Sequence, residues 1–248
     1  FFLTFRNIIE NRYYKNSTEA YNAWRMYVTS FGFGNVLGSD LPNELGGFVP
    51  TEDYYNRYYG KNRWNAYTII SLGIGQGELG ITPLQMANYA AIIANRGYFV
   101  IPHSVKAIEN KSLNRKFLER HYVAIDSSLF GPIIDGMQGA VNGPGTGTAL
   151  IARLPDIIIC GKTGTAQNPH GADHSIFIAF APRDHPKIAL SVYVENGGFG
   201  ATYAAPVASL MIEKFLTDTI TRPWLEQHVL NANLLYSNAP KRKNMVED

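Results

Sequence analysis

These 248 residues predict an α+β fold, an antiparallel sheet with covering helices, and three features of the last third point to it. Three segments, Ile157–Gln167, His174–Ala181 and Lys187–Glu195, have strand composition, and the last alternates Ile188, Leu190, Val192 and Val194 on one face. The five residues PRDHP between the second and third segments are of hairpin length, which makes those two strands antiparallel neighbours. The stretch 204–217 then sets Val207, Leu210, Met211 and Phe215 on one helical face, the spacing needed to cover a sheet.

From the N-terminus, residues 1–10 and 18–31 are each compatible with a helix. The second has Thr18 as N-cap and Tyr21, Trp24 and Val28 on one face. Gly32, Gly34 and Gly38 break regular structure. Residues 38–68, rich in Gly, Pro, Asn and Tyr without a sustained period, predict a long ordered loop region. A well-marked helix follows from about 83 to 95, with Thr82 as N-cap, Pro83 at the first helical position and a stop at Gly97. Strands at 98–109 and 121–125 and a helix at 127–142 lead into NGPGTGTA, a turn-rich segment.

Composition narrows the partners. A net charge of +2 provides no general field for nucleic acid or acidic membranes, and the run Lys241, Arg242, Lys243 reads as a solvated end. Cys160 is the only cysteine, which rules out an internal disulfide and fits core filler. No stretch approaches the roughly 18 apolar residues a membrane-spanning helix needs, and no signal peptide opens the chain. The opening FFLTFRNIIENRYY lacks methionine and starts within a helix-compatible pattern, as though cut from a longer protein.

Several chemistries fail on spacing. GKT at 161–163 resembles the end of a phosphate-binding loop, but Asp156 stands where that motif needs glycine, and Ile157–Cys160 would be stiff strand. GQGELG at 75–80 matches the dinucleotide pattern only formally. Its helix starts after the last glycine, and no acidic residue stands about 20 residues on. His170 and His174 have the spacing of a zinc helix, yet Gly171 replaces the expected Glu, so Asp173 and His174 read as a strand entry. No metal and no cofactor is implied.

KTGT at 162–165 is different. An ammonium, flanking hydroxyls and a glycine on one strand suit recognition of a carboxylate, with an extended substrate adding alongside as a further strand. Taken with DHSIFIAFAP (173–182), VENGGFGA (194–201), GIGQGELGITPLQMANYAAIIANRG (73–97) and GTGTA (145–149), the sequence resembles the C-terminal part of a penicillin-binding transpeptidase. The likeness is strongest to the elongation-type class B group, penicillin-binding protein 2, and spans residues 1–220.

The resemblance implies a serine-type D,D-transpeptidase fold related to the serine β-lactamases. In such enzymes a serine attacks the penultimate D-Ala of a stem peptide, D-Ala leaves, and an amine from a second stem resolves the acyl-enzyme. Of the family's three site motifs only K-[ST]-G matches, as Lys162, Thr163 and Gly164. By the same likeness the N–H of Thr165 forms half of an oxyanion hole. Thr163 and Thr165 hold the substrate carboxylate, with Ala166 and Gln167 continuing the substrate-binding edge.

The resemblance has a gap: no serine has lysine three residues later, and Ser112–Asn114, the one S-x-N, falls after the GQGELG segment instead of before it. The expectation is a truncated domain lacking the first two sheet strands and the nucleophile helix, with residues 1–220 its C-terminal part and 221–248 a partly disordered extension. The strand at 187–195 then presents an open edge for self-association. The implied partners are stem peptides, β-lactams, a lipid II polymerase and rod-complex proteins, but not nucleic acid. The implied location is the periplasmic side of an inner-membrane anchor. A β-lactam sensor or serine β-lactamase shares the fold, although the long GIGQGELGITPLQMA segment suits a transpeptidase better; a non-catalytic binding fragment is the third reading.

Overall fold

A computed structural model describes residues 1–234. The described residues fall into two compact units, Phe1–Ile133 and the residues from Ile134 onward.

In the first unit, helices α1 (Phe2–Ile9), α2 (Ser17–Ser30), α3 (Glu52–Tyr59) and α4 (Pro83–Ala94) are joined by long connections. Phe5, Ile9, Tyr21, Tyr55, Trp64, Ile69 and Leu72 form its core. Tyr21 meets Tyr55 and Trp64 edge-on, both at 5.5 Å between ring centres. Their polar tips are used: the Tyr21 hydroxyl donates to the Pro50 carbonyl at 2.8 Å, and the Tyr55 hydroxyl donates to Glu78 at 3.1 Å.

Two expectations are corrected here. The N-cap of α2 is Asn16 and not Thr18: the Asn16 carboxamide oxygen accepts the Glu19 N–H at 2.9 Å, while Glu19 reaches back to the Lys15 N–H at 2.7 Å. Asparagine ranks above threonine at this position. The region 38–68 is not all loop. Thr51 caps α3 by accepting the Tyr54 N–H, and the helix hides its period because Tyr55 alone is buried. The remaining loop is ordered by side chains. Glu44 accepts from the N–H groups of Leu37, Gly38 and Ser39 at 2.5–3.1 Å.

Helix α4 begins as expected, with Pro83 in its first turn and a reciprocal capping box between Thr82 and Gln85. Gln85, 1% exposed, also donates its amide hydrogens to the carbonyls of Gly32, Asn35 and Gly46. The run before it is a short 3-10 helix at Ile70–Ile74. The two predicted strands shrink to β1 (Tyr98–Phe99) and β2 (His121–Tyr122), paired antiparallel. Beyond Phe99 the strand does not resume: Pro102 has no N–H, and the Asp40 carboxylate takes those of Ser104 and Val105.

Helix α5 (Phe130–Asn142) leads into the second unit. There β3 (Cys160–Ala166), β4 (His174–Ala181) and β5 (Ile188–Val194) form an antiparallel sheet in that order, with Lys162 opposite Ile178 and Ile178 opposite Ser191. The predicted hairpin and the inward face of β5 both hold. Among the described residues β5 pairs only with β4, so its outer edge is open, as is that of β3.

Helix α6 (Ala204–Thr217) covers the sheet with a face offset from the predicted one, of which Leu210 is buried. Ala204, Ala205, Ala208 and Ile212 pack on Phe177, Ala179 and Leu190, while Met211 and Phe215 are 50% and 60% exposed. Three alanines let the helix approach the strands closely, so small size outweighs hydrophobicity in choosing the buried face. Helix α7 (Pro223–Leu230) packs on α6 with Leu225 buried, and Arg222 pairs with Glu213 at 2.9 Å. Of the expected extension, residues 221–234 thus include a helix; residues 235–248 lie outside the described residues.

Candidate substrate edge at strand β3

Four residues, Ile157–Cys160, carry the chain into β3, where β-branched side chains suit a pleated surface. The Cys160 thiol is buried, and burial pushes its pKa up to about 11, which makes it core and not a nucleophile. At Gly161 a Cβ would lie 2.3 Å from the Phe177 ring, so only glycine lets the two strands and the ring coexist.

Polar residues follow. Lys162 is exposed, and among the described residues no carboxylate pairs with it. Its ammonium donates to the Thr163 carbonyl at 2.5 Å. Strand alternation puts Lys162 and Gly164 on one face and Thr163 and Thr165 on the other. It also turns the backbone N–H and C=O of Thr165 to the same side as those of Thr163, whose carbonyl the ammonium meets. Ala166 ends the ladder opposite His174, and Gln167 is exposed just beyond.

Three neighbouring segments hold this edge. The C-terminal end of α5 fixes the entry: the Asn142 side chain donates to the Ile159 carbonyl at 2.6 Å, and the Ala149 N–H donates to the Ala140 carbonyl at 2.9 Å. These bonds bring GTGTA beside β3, where the hydroxyls of Thr163 and Thr148 are 3.2 Å apart. The second segment, VENGGFGA, lies over the strand. An ideal Cβ on Gly200 would sit 2.4 Å from the Ile176 oxygen and 2.8 Å from that of Gly164. Buried Ser175 fastens it, donating to the Phe199 carbonyl at 2.8 Å and accepting the Ala204 N–H at 3.1 Å. The third is the turn after β3, tied by the Asn168 amide to Asn196 at 2.9 Å. There the Asn196 N–H donates to His174 Nδ1 at 3.1 Å, which occupies that ring nitrogen in holding the strand entry.

The assembled edge offers an exposed ammonium without a carboxylate partner among the described residues, two hydroxyls and an open strand, the equipment to bind a carboxylate-bearing extended peptide. The sequence pattern placed Lys162, Thr163, Gly164 and Thr165 on one strand but missed Thr148, Ser175 and Gly200 as its supports. Repeated glycines in GTGTA and GGFG signal close backbone approach, but not which strand is approached.

Comparison with known proteins identifies the family. The family described as the penicillin binding protein transpeptidase domain matches residues 11–213. A peptidoglycan D,D-transpeptidase MrdA of Haemophilus influenzae is 33% identical over 221 residues, covering 82% of this chain and 33% of that protein. Its counterpart in Acinetobacter baumannii is 32% identical, covering 86% of this chain and 34% of that protein. The chain therefore spans about a third of the length of these curated relatives. Among solved structures, Pseudomonas aeruginosa PBP2 in complex with WCK 5153 superposes with a TM-score of 0.70 at 31% identity, over 82% of this chain and 44% of that one. A complex of Helicobacter pylori PBP2 with MreC gives 0.64 at 27% identity, over 80% of this chain and 35% of that one. Among the described residues no helix is long and apolar enough to cross a membrane.

Proposed function

The chain belongs to the penicillin-binding protein transpeptidase domain family, and on that premise we propose that it supplies one wall of a peptidoglycan D,D-transpeptidase active in cell-wall synthesis and cell elongation. The observation that carries the reading is β3, a strand paired on one side only among the described residues, with the exposed ammonium of Lys162 between Gly161 and Thr163.

In this reading the stem peptide lies along β3 as an added strand. Thr163 and Thr165 hold its terminal carboxylate, and Lys162 supplies the positive field that draws the carboxylate in. The Thr165 N–H serves as one oxyanion donor for the tetrahedral intermediate formed when a serine attacks the penultimate D-Ala. Gly164 leaves the backbone accessible, while Ala166 and Gln167 extend the edge. The attacking serine and its lysine base are not among these 248 residues, since no Ser-x-x-Lys occurs in them, so this chain alone forms no acyl-enzyme.

For the whole protein the reading extends to a periplasmic domain of an inner-membrane-anchored enzyme, with β-lactams as competitors of the stem peptide. The MreC complex of the Helicobacter pylori protein supports a partner from the rod complex, where a lipid II polymerase would also act.

The test uses this chain in two measurements. Incubation with a fluorescent penicillin should leave no covalent adduct in the mass spectrum; an adduct refutes the assignment of the nucleophile elsewhere. Acetyl-D-Ala-D-Ala should perturb the backbone amide resonances of Thr163–Thr165, and an unchanged spectrum up to millimolar peptide refutes β3 as the substrate edge.

A further inference from the structure

One hydroxyl of the GTGTA segment, that of Thr148, reaches the substrate edge. We propose that Thr148 is a positioning residue that makes Thr163 selective for a carboxylate. This inference rests on the reading of β3 as the substrate edge.

A threonine hydroxyl has one hydrogen to donate and two lone pairs to accept with. Without ligand, Thr163 donates that hydrogen to Thr148 across 3.2 Å. A carboxylate can only accept, so on binding the Thr163 hydrogen turns to the ligand and its oxygen is left needing a donor. Thr148 is in place to be that donor. The pair therefore reverses its direction when a carboxylate arrives, and the resulting chain, Thr148 to Thr163 to carboxylate, polarises the last bond. An uncharged terminal amide brings N–H groups that Thr163 accepts without any reversal, so it draws nothing from Thr148.

The surroundings keep Thr148 at this distance. Gly147 packs where an ideal Cβ would be 2.4 Å from the Ala140 carbonyl oxygen, and the Ala149 N–H is bonded to the same carbonyl. The residues on either side of Thr148 are thus fixed to α5. Thr148 is exposed without ligand, and a peptide strand along β3 would exclude the water that could otherwise take its place.

The experiment titrates acetyl-D-Ala-D-Ala and its C-terminal amide into this chain and into Thr148→Val and Thr148→Ser, following the Thr163–Thr165 amides. The wild-type chain should prefer the carboxylate. Thr148→Val should lose roughly threefold for the carboxylate and nothing for the amide, the size expected from losing cooperative support of a charge-assisted bond. Thr148→Ser, which keeps the hydroxyl, should restore the preference. Equal loss for both peptides, or none for either, overturns the role of Thr148 while leaving β3 as the substrate edge. A wild-type chain that binds both peptides equally overturns the carboxylate selectivity. Absence of any wild-type response overturns the substrate-edge reading, and the inference with it.

Discussion

Gly200 tests the construction of the site most directly, because what excludes a side chain there is purely steric. Its φ is not among the positive values, so alanine meets no backbone penalty at that position. A Cβ would lie 2.4 Å from the Ile176 oxygen, 2.8 Å from the Gly164 oxygen and 3.0 Å from the Thr163 Cβ. To reach ordinary contact the first of these must open by about 1 Å, and both oxygens belong to paired strands that cannot rotate away. Overpacking of this kind costs about 1–3 kcal/mol, and with two backbone atoms involved Gly200→Ala should cost about 3 kcal/mol. Gly198 is the internal control. Its φ is +70° with nothing within 4 Å of an added Cβ, so Gly198→Ala should cost about 1 kcal/mol from conformation alone. Urea denaturation of both variants reports the stabilities, and the Thr163–Thr165 amide shifts report whether β3 has moved. If Gly200→Ala is no less stable than Gly198→Ala and leaves those shifts unchanged, the close seating of GGFG on the KTGT strand is wrong.

Two other perturbations probe the supports of each unit. Glu213 is 3% exposed; burial alone would raise its carboxyl, but hydrogen bonds from Thr221 and Arg222 outweigh this and hold it below the usual glutamate range. A depressed carboxyl adds stability that is fully present above its unfolded pKa and lost as pH falls through the folded one. Glu213→Gln, which leaves Arg222 largely buried without its counter-charge, should cost about 3 kcal/mol at pH 7. Its deficit should shrink as pH falls below about 4, and a pH-independent deficit in urea melts refutes the pairing. In the first unit, Gln85→Ala removes the capping-box return and strands three carbonyls, costing about 3 kcal/mol. Hydrogen exchange of the 32–48 amides should quicken with it; unchanged protection there refutes Gln85 as the loop's anchor.

Elements with a strong local signal were legible in the sequence. Thr82, Pro83 and Gln85 announce α4 through capping chemistry alone, and alternation in β5 announces its buried face. Less legible elements depended on partners far along the chain. Helix α3 has one buried tyrosine and no visible period. The strand expected over 98–109 cannot run through Ser104 and Val105, because Asp40, more than 60 residues upstream, accepts their N–H groups. The α6 face was misjudged because periodicity ranks side chains by hydrophobicity, whereas the sheet selects those that let backbones come close.

For the site the division is similar. By itself the sequence determined the family, the KTGT strand and the absence of a Ser-x-x-Lys pair, because these reside in residue identity and short spacing. Only the tertiary structure decided that Lys162 lies exposed on an open sheet edge, that Gly200 presses on that strand, and that Thr148 meets Thr163. Thr148 and Thr163 are fifteen positions apart, and no local preference links them. They meet because α5 binds the Thr148 loop through Ala140 and the entry of β3 through Asn142, two contacts that exist only once the helix has packed.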